Sequence, residues 1–272
     1  MIEPGTLVAG RYRLDEQILR AWPGPVWRAK DLRLHKDVVV SCAIGPTDDD
    51  DDWYGHRLMA SHRAATRVRD PRIVGVLDAG DDPATGTYVV TEPVEAEPVY
   101  RLAPLPPLRV VGIVAEIAEA LQTLHDEGIV HGHVDASNVL VRPDSTVLLG
   151  GLDHRVLTDA AGPGNDPSMS RSSYSIARVK YLAPEQLTAG PVTARTDVFS
   201  LGVVAHVGLT GTPPFDEGTF LEIAIRVVRM EAPALPPEIP ASVRAVVERA
   251  MAKDPRDRWP TAAELAAAAR AA

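Results

Sequence analysis

Four residues able to do chemistry fall between positions 131 and 138: His131, His133, Asp135 and Asn138. An imidazole and a carboxylate two residues apart on a loop supply a base and the group that orients it, so His133 and Asp135 could act on a small-molecule substrate. The same residues with His131 offer ligands for Zn²⁺, although an i, i+2, i+4 spacing on a loop is no specific ligand signature. Plainer roles stay open, with His131 packed in the core and His133 held by hydrogen bonds. A further polar string, Gly151-Leu152-Asp153, lies downstream. Five serines between Ser168 and Ser175, preceded by Gly162, Pro163, Gly164 and Pro167, have the composition of a loop that buries little. Such a loop could accept phosphate from another enzyme and then be read by a phosphopeptide-binding partner, or be inert surface.

These residues must be positioned by regular elements. Val26 to Ala29, Val38 to Ile44 and Tyr88 to Thr91 are rich in β-branched and aromatic residues and bounded by turn formers, which predicts a small antiparallel sheet. One helix is predicted over residues 54–68, next to the solvated acidic run Asp48 to Asp52. After Pro107 the apolar period becomes 3.6, with Val110, Val111, Ile113, Val114, Ile117, Ala118, Leu121 and Leu124 marking a long buried helix that ends near Gly128. Further helices are predicted over 195–210, 220–228, 241–253 and 262–271, the last opened by Thr261 with Glu264 three residues on.

Composition narrows the function classes. The chain has 272 residues, 45% of them hydrophobic and 24% charged, enough to bury a core. Twenty-eight Lys and Arg against 37 Asp and Glu give a net charge of −9, the wrong sign for general nucleic-acid binding. The single cysteine, Cys42, excludes an internal disulfide and a thiolate metal cage. No signal peptide opens the chain and no apolar run is long enough to span a bilayer, so a cytoplasmic protein without membrane contact or tether is expected.

Several strings resemble the bacterial Hanks-type Ser/Thr protein kinase family along nearly the whole chain. They are Gly10-Arg11-Tyr12-Arg13-Leu14, Asp70 to Asp78, His131 to Leu140, Tyr181-Leu182-Ala183-Pro184-Glu185-Gln186, Asp197-Val198-Phe199-Ser200-Leu201-Gly202 and Asp254 to Pro260. The resemblance implies a bilobal α+β kinase-like fold in a single domain over residues 1–272, with a β-rich N-lobe over about 9–94 and a helical C-lobe over 95–272. It also implies that Glu185 pairs with Arg258 and that Asp197 accepts N–H bonds from the catalytic loop.

Against the family pattern, most groups that handle a triphosphate are replaced. The Gly-rich loop becomes Leu19-Arg20-Ala21-Trp22-Pro23-Gly24, Ser41 takes the place of the strand lysine, and Ser61 that of the glutamate holding it. His133 stands at the catalytic aspartate, Asp135 at the catalytic-loop lysine and Gly151 at the magnesium aspartate, leaving Asn138 of the metal ligands. Asp153, Lys30 or Arg28 could take over part of these roles. Replacing a cation by an aspartate about 4 Å from phosphate turns an attraction of roughly 4 kcal/mol into a similar repulsion at an effective dielectric of ~20.

These losses lead to the expectation of a pseudokinase that is not an enzyme, binding a regulatory, phosphopeptide-binding or biosynthetic protein partner, with no cofactor. Weak metal-independent nucleotide binding would use a slot of Val26, Val39, Thr91, Glu92 and Val94. One alternative is an enzyme of another class, or a small-molecule binder, in a cleft at His133 and Asp135, with Trp22 or Leu152 closing the cleft if it only scaffolds. The other is an atypical Ser/Thr kinase using His133, Asp135 and Asn138.

Overall fold

A computed structural model describes residues 2–20, 25–42, 66–83, 85–152 and 173–272. The acidic run, most of the helix predicted over 54–68, and the residues Ala21, Trp22, Gly24, Ser61, Asp153 and Ser168 lie outside the described residues. The described residues of Met1–Arg69, Val74–Glu95 and Leu152–Leu157 form one compact unit, and those of Asp70–Ile73, Ala96–Gly151 and Thr158–Ala272 a second. The first unit is built on a β-sheet and the second mostly on helices, as an α+β chain requires.

The first unit is a six-stranded antiparallel sheet, formed by β1 (Leu7–Val8), β2 (Tyr12–Arg20), β3 (Pro25–Asp31), β4 (Lys36–Cys42), β5 (Val76–Asp82) and β6 (Gly86–Thr91) in the order β1-β2-β3-β4-β6-β5. Strand alternation sorts its two faces. Tyr12, Leu14, Trp27, Ala29, Val38, Val40, Cys42, Tyr88 and Val90 form the core on one face. The other face carries Val26 opposite Ser41, Arg28 opposite Val39, and Val39 opposite Thr91. Burial, with a further push from the negative charge of Asp82, raises the Cys42 thiol to about 12.

In the second unit, β7 (Glu97–Pro98), β8 (Val139–Val141) and β9 (Val147–Leu149) make a small sheet that frames the loop from His131 to Asn138. The helices are α1 (Val99–Leu102), α2 (Pro107–Asp126), α3 (Ser173–Val179), α4 (Pro184–Leu187), α5 (Ala194–Thr210), α6 (Phe220–Arg229), α7 (Ala241–Ala250) and α8 (Ala262–Ala271). Proline at N1 opens α2, and Gly128, at φ +72°, follows its last turn. The hydroxyl of Thr261 accepts from the Glu264 N–H at 3.1 Å, capping α8. Every residue of α5 from Thr196 to Leu209 is buried, so this helix is the axis of the unit. Gly202 lets α7 approach it: a Cβ there would lie 2.9 Å from the Ala250 Cβ.

Three differences from the sequence expectations have local causes. Helix α7 stops at Ala250 rather than 253, where the Met251 N–H turns back to Val247 and Lys253 reaches the Val227 carbonyl. Ser173 to Ser175 belong to α3 instead of a loop, in a helix whose last residue, Val179, is fully buried. Asp70 to Ile73 join the second unit although they sit inside the N-terminal stretch. The Leu149 N–H donates to the Arg72 carbonyl at 2.7 Å, Arg72 ion-pairs with Glu119, and the Thr123 hydroxyl donates to Asp70 at 2.8 Å. The Arg72 guanidinium, which also donates to Asp70 at 2.7 and 2.9 Å, holds that carboxyl well below the usual range, at about 2, with help from the Arg72 N–H and Thr123.

Candidate functional site on the 131–138 loop

The loop hangs from one carboxylate. Asp197, 0% exposed on α5, accepts the N–H groups of His131 at 2.8 Å and Gly132 at 2.6 Å, and contacts His125 Nε2 at 2.8 Å. Gln186 on α4 accepts from Ala183 N and donates to the Gly132 carbonyl at 3.0 Å. His131 Nδ1 accepts from the His133 N–H at 3.2 Å, so Nε2 carries the hydrogen and donates to the Gly150 carbonyl at 2.9 Å. His131 is thus a buried fastener between the loop and the strand end. Glu185 and Arg258 fix the segment beyond: two parallel bonds of 2.7 and 2.8 Å join them, and Arg258, 0% exposed, also donates to the carbonyls of Ala252, Arg195 and Lys253.

Within this frame His133 and Asp135 come together. Their side chains are only 4% and 9% exposed, with His133 Nε2 3.5 Å from Asp135 Oδ2. The other oxygen, Oδ1, accepts the Ser137 N–H at 2.8 Å, the Ser137 hydroxyl at 2.5 Å and the Asn138 N–H at 2.9 Å. One carboxylate oxygen therefore folds the loop while its twin faces the imidazole. On the far side of the ring, the guanidinium of Arg178 from α3 donates to His133 Nδ1. Sequence reading missed Arg178, for which the available signal was an arginine three residues before Tyr181 in the Tyr181-to-Gln186 string.

The family implies a magnesium site, and the described residues do not form one. Gly151 has φ +86°, and a Cβ there would lie 2.5 Å from Asn138 Nδ2, so the Asn138 amide fills the space a side chain at 151 would need. That amide donates to the His133 carbonyl at 3.0 Å. Among the described residues no group of three His, Cys, Asp or Glu could hold a metal, which also removes the Zn²⁺ reading of His131, His133 and Asp135.

In the first unit, Val26, Val39, Ser41 and Thr91 share the sheet face opposite the core. Val26 is buried, while Val39, Ser41 and Thr91 are half-buried. Glu92 is exposed with its N–H on the Gly75 carbonyl, Val94 is half-buried, and Leu152 is buried. Leu19 pairs with Val26 across β2 and β3. The two cations considered for phosphate are engaged by carboxylates, Lys30 with Asp37 at 2.8 Å and Arg28 with Glu16 at 3.5 Å. No described helix is long and apolar enough to cross a membrane.

The scaffold of α5, the 131–138 loop and the Glu185–Arg258 pair is one that sequence comparison recognises directly, since the protein kinase domain family matches residues 24–268. The chain belongs to the protein kinase domain family. Its relatives include the serine/threonine-protein kinase PknB of Mycobacterium tuberculosis (strain ATCC 25177 / H37Ra), 33% identical over 96% of this chain and 42% of the relative. PknB of Mycobacterium leprae (strain TN) is 32% identical over the same shares. The serine/threonine-protein kinase PknA of the H37Ra strain is 29% identical over 94% of this chain and 59% of that protein. The chain thus spans less than half the length of these PknB relatives.

These matches correct the expectation that the chain is not an enzyme: the relatives bear the names of protein kinases. Missing catalytic groups do not by themselves remove activity, because such groups act non-additively and part of a rate enhancement can survive the loss of members of a catalytic set.

Proposed function

We propose that the chain is an atypical Ser/Thr kinase, a slow phosphoryl transferase from a nucleoside triphosphate to a protein hydroxyl, in which Asp135 takes over the carboxylate role that the family gives to position 133. The observation that carries this reading is the placement of Asp135 Oδ2 3.5 Å from His133 Nε2, on a loop held by Asp197 in a kinase scaffold. Phosphoryl transfer asks the protein mainly to align the nucleophile and stabilise charge, and a carboxylate that accepts the hydroxyl proton serves the first need. Oδ1 is committed to the loop, so Oδ2 is the oxygen that receives the proton. The names of the PknB and PknA relatives supply the acceptor class.

The nucleotide would bind weakly against the Val26, Val39 and Thr91 face without a resident metal; a divalent cation would come only with the nucleotide. Incubation with γ-labelled nucleotide and a Ser/Thr-rich protein, in Mg²⁺, Mn²⁺ or chelator, tests the reading. Slow labelling that Asp135→Asn abolishes is expected, because asparagine keeps the loop-folding acceptor and loses the carboxylate. No labelling in any condition, or labelling indifferent to Asp135→Asn, overturns it.

A further inference from the structure

Arg178 is buried, 8% exposed, and its position on α3 brings a permanent cation to the ring at the family's catalytic position, 45 residues away in sequence. A guanidinium has donors and no acceptor. The nitrogen it touches, His133 Nδ1, must therefore present its lone pair, and in the neutral ring the hydrogen sits on Nε2. Asp135 Oδ2 lies 3.5 Å from Nε2, close enough for attraction between that N–H and the carboxylate. The alternative tautomer would turn an N–H into the guanidinium and a lone pair towards the carboxylate, both repulsive. The loop backbone adds a constraint, since the His133 N–H is used by His131 and the His133 carbonyl by Asn138.

We infer that Arg178 is a positioning residue that locks His133 in the Nε2–H tautomer, making His133 the donor that orients Asp135 and excluding it as the proton acceptor. The proton of a substrate hydroxyl then passes to Asp135 Oδ2, while the Nε2–H stays in place and His133 gains no proton. The kinetic half of this inference rests on the kinase reading above; the tautomer itself does not.

The test is the long-range proton–nitrogen spectrum of the full ¹⁵N-labelled chain, with the His133 signals assigned by their loss in His133→Gln. Wild type is expected to show hydrogen on Nε2 and a bare Nδ1, Arg178→Met a mixed or reversed tautomer, and Arg178→Lys, which keeps a cationic donor, the wild-type pattern. Hydrogen on Nδ1 in the wild type, or an unchanged pattern in Arg178→Met, overturns the inference. Should Arg178→Met fail to fold, the wild-type and Arg178→Lys spectra decide, and a reversed tautomer in either overturns it. With measurable transfer, Arg178→Met should lower kcat about tenfold or more at constant nucleotide KM, and Arg178→Lys should restore part of it. An inactive wild type with the expected spectrum defeats the kinase reading alone.

Discussion

Gly151→Asp would restore the side chain that the family carries at its magnesium position, and the structure says that it will damage the protein instead. Two terms add. Residue 151 sits at φ +86°, where a side chain with a Cβ costs roughly 1–2 kcal/mol. The new Cβ would also lie 2.5 Å from Asn138 Nδ2 and 2.6 Å from its Cγ, so the amide must leave, giving up its 3.0 Å bond to the His133 carbonyl at a cost of about 0.5–1.5 kcal/mol. A total near 2–3 kcal/mol corresponds to a fall in Tm of about 4–12 °C for a chain of this size. Thermal unfolding followed by circular dichroism measures it, with Gly151→Ala carrying both terms and no charge. Measured against Asn138→Ala, which has already lost the amide and its bond, adding Gly151→Asp should cost only the backbone part. A Gly151→Asp protein that melts within a degree of wild type, or that gains a magnesium-dependent rise in Tm, would refute the reasoning.

Other perturbations have equally definite outcomes. Glu185→Gln leaves the fully buried Arg258 without its carboxylate and should cost about 3–5 kcal/mol in denaturant unfolding, whereas Glu185→Met/Arg258→Met should cost far less because no charge is stranded. Asp70 is held at about 2 in the fold against roughly 3.9 unfolded, so its contribution is full above pH ~4 and drains away as pH falls towards 2. In Asp70→Asn the acid limb of stability should be shallower than in wild type, and identical limbs would contradict the Arg72 assignment. Cys42, buried and with its thiol pushed up to about 12, should resist thiol reagents at pH 8 in the native protein and react at once in denaturant.

The site was unevenly legible. Asp197, Glu185 and Arg258 stand in strings that name their roles, because scaffold bonds are made by side chains fixed in type by what they must pair with. Position 135 was legible as a lost lysine and as a carboxylate within reach of His133; only the fold shows Oδ2 beside the ring and Oδ1 folding the loop. Arg178 carried no chemical signature, since an arginine near the end of a short helix is ordinarily a surface residue. The family resemblance grouped Val26, Val39 and Thr91, and the sheet register puts them with Ser41 on one face.

By itself the sequence determined the family, the strand and helix periods, and the residue types at each catalytic position, all of which depend on neighbours a few residues away or on strings that match as strings. Only the tertiary structure decided what those types do: that Asn138 occupies the space beside Gly151, that His133 is gripped between Arg178 and Asp135, and that Asp70 to Ile73 belong to the helical unit. Each of those facts is a contact between segments distant along the chain. Hydrogen bonds and steric overlap act over a few ångströms in space, and no spacing in the sequence records which distant residue will arrive there.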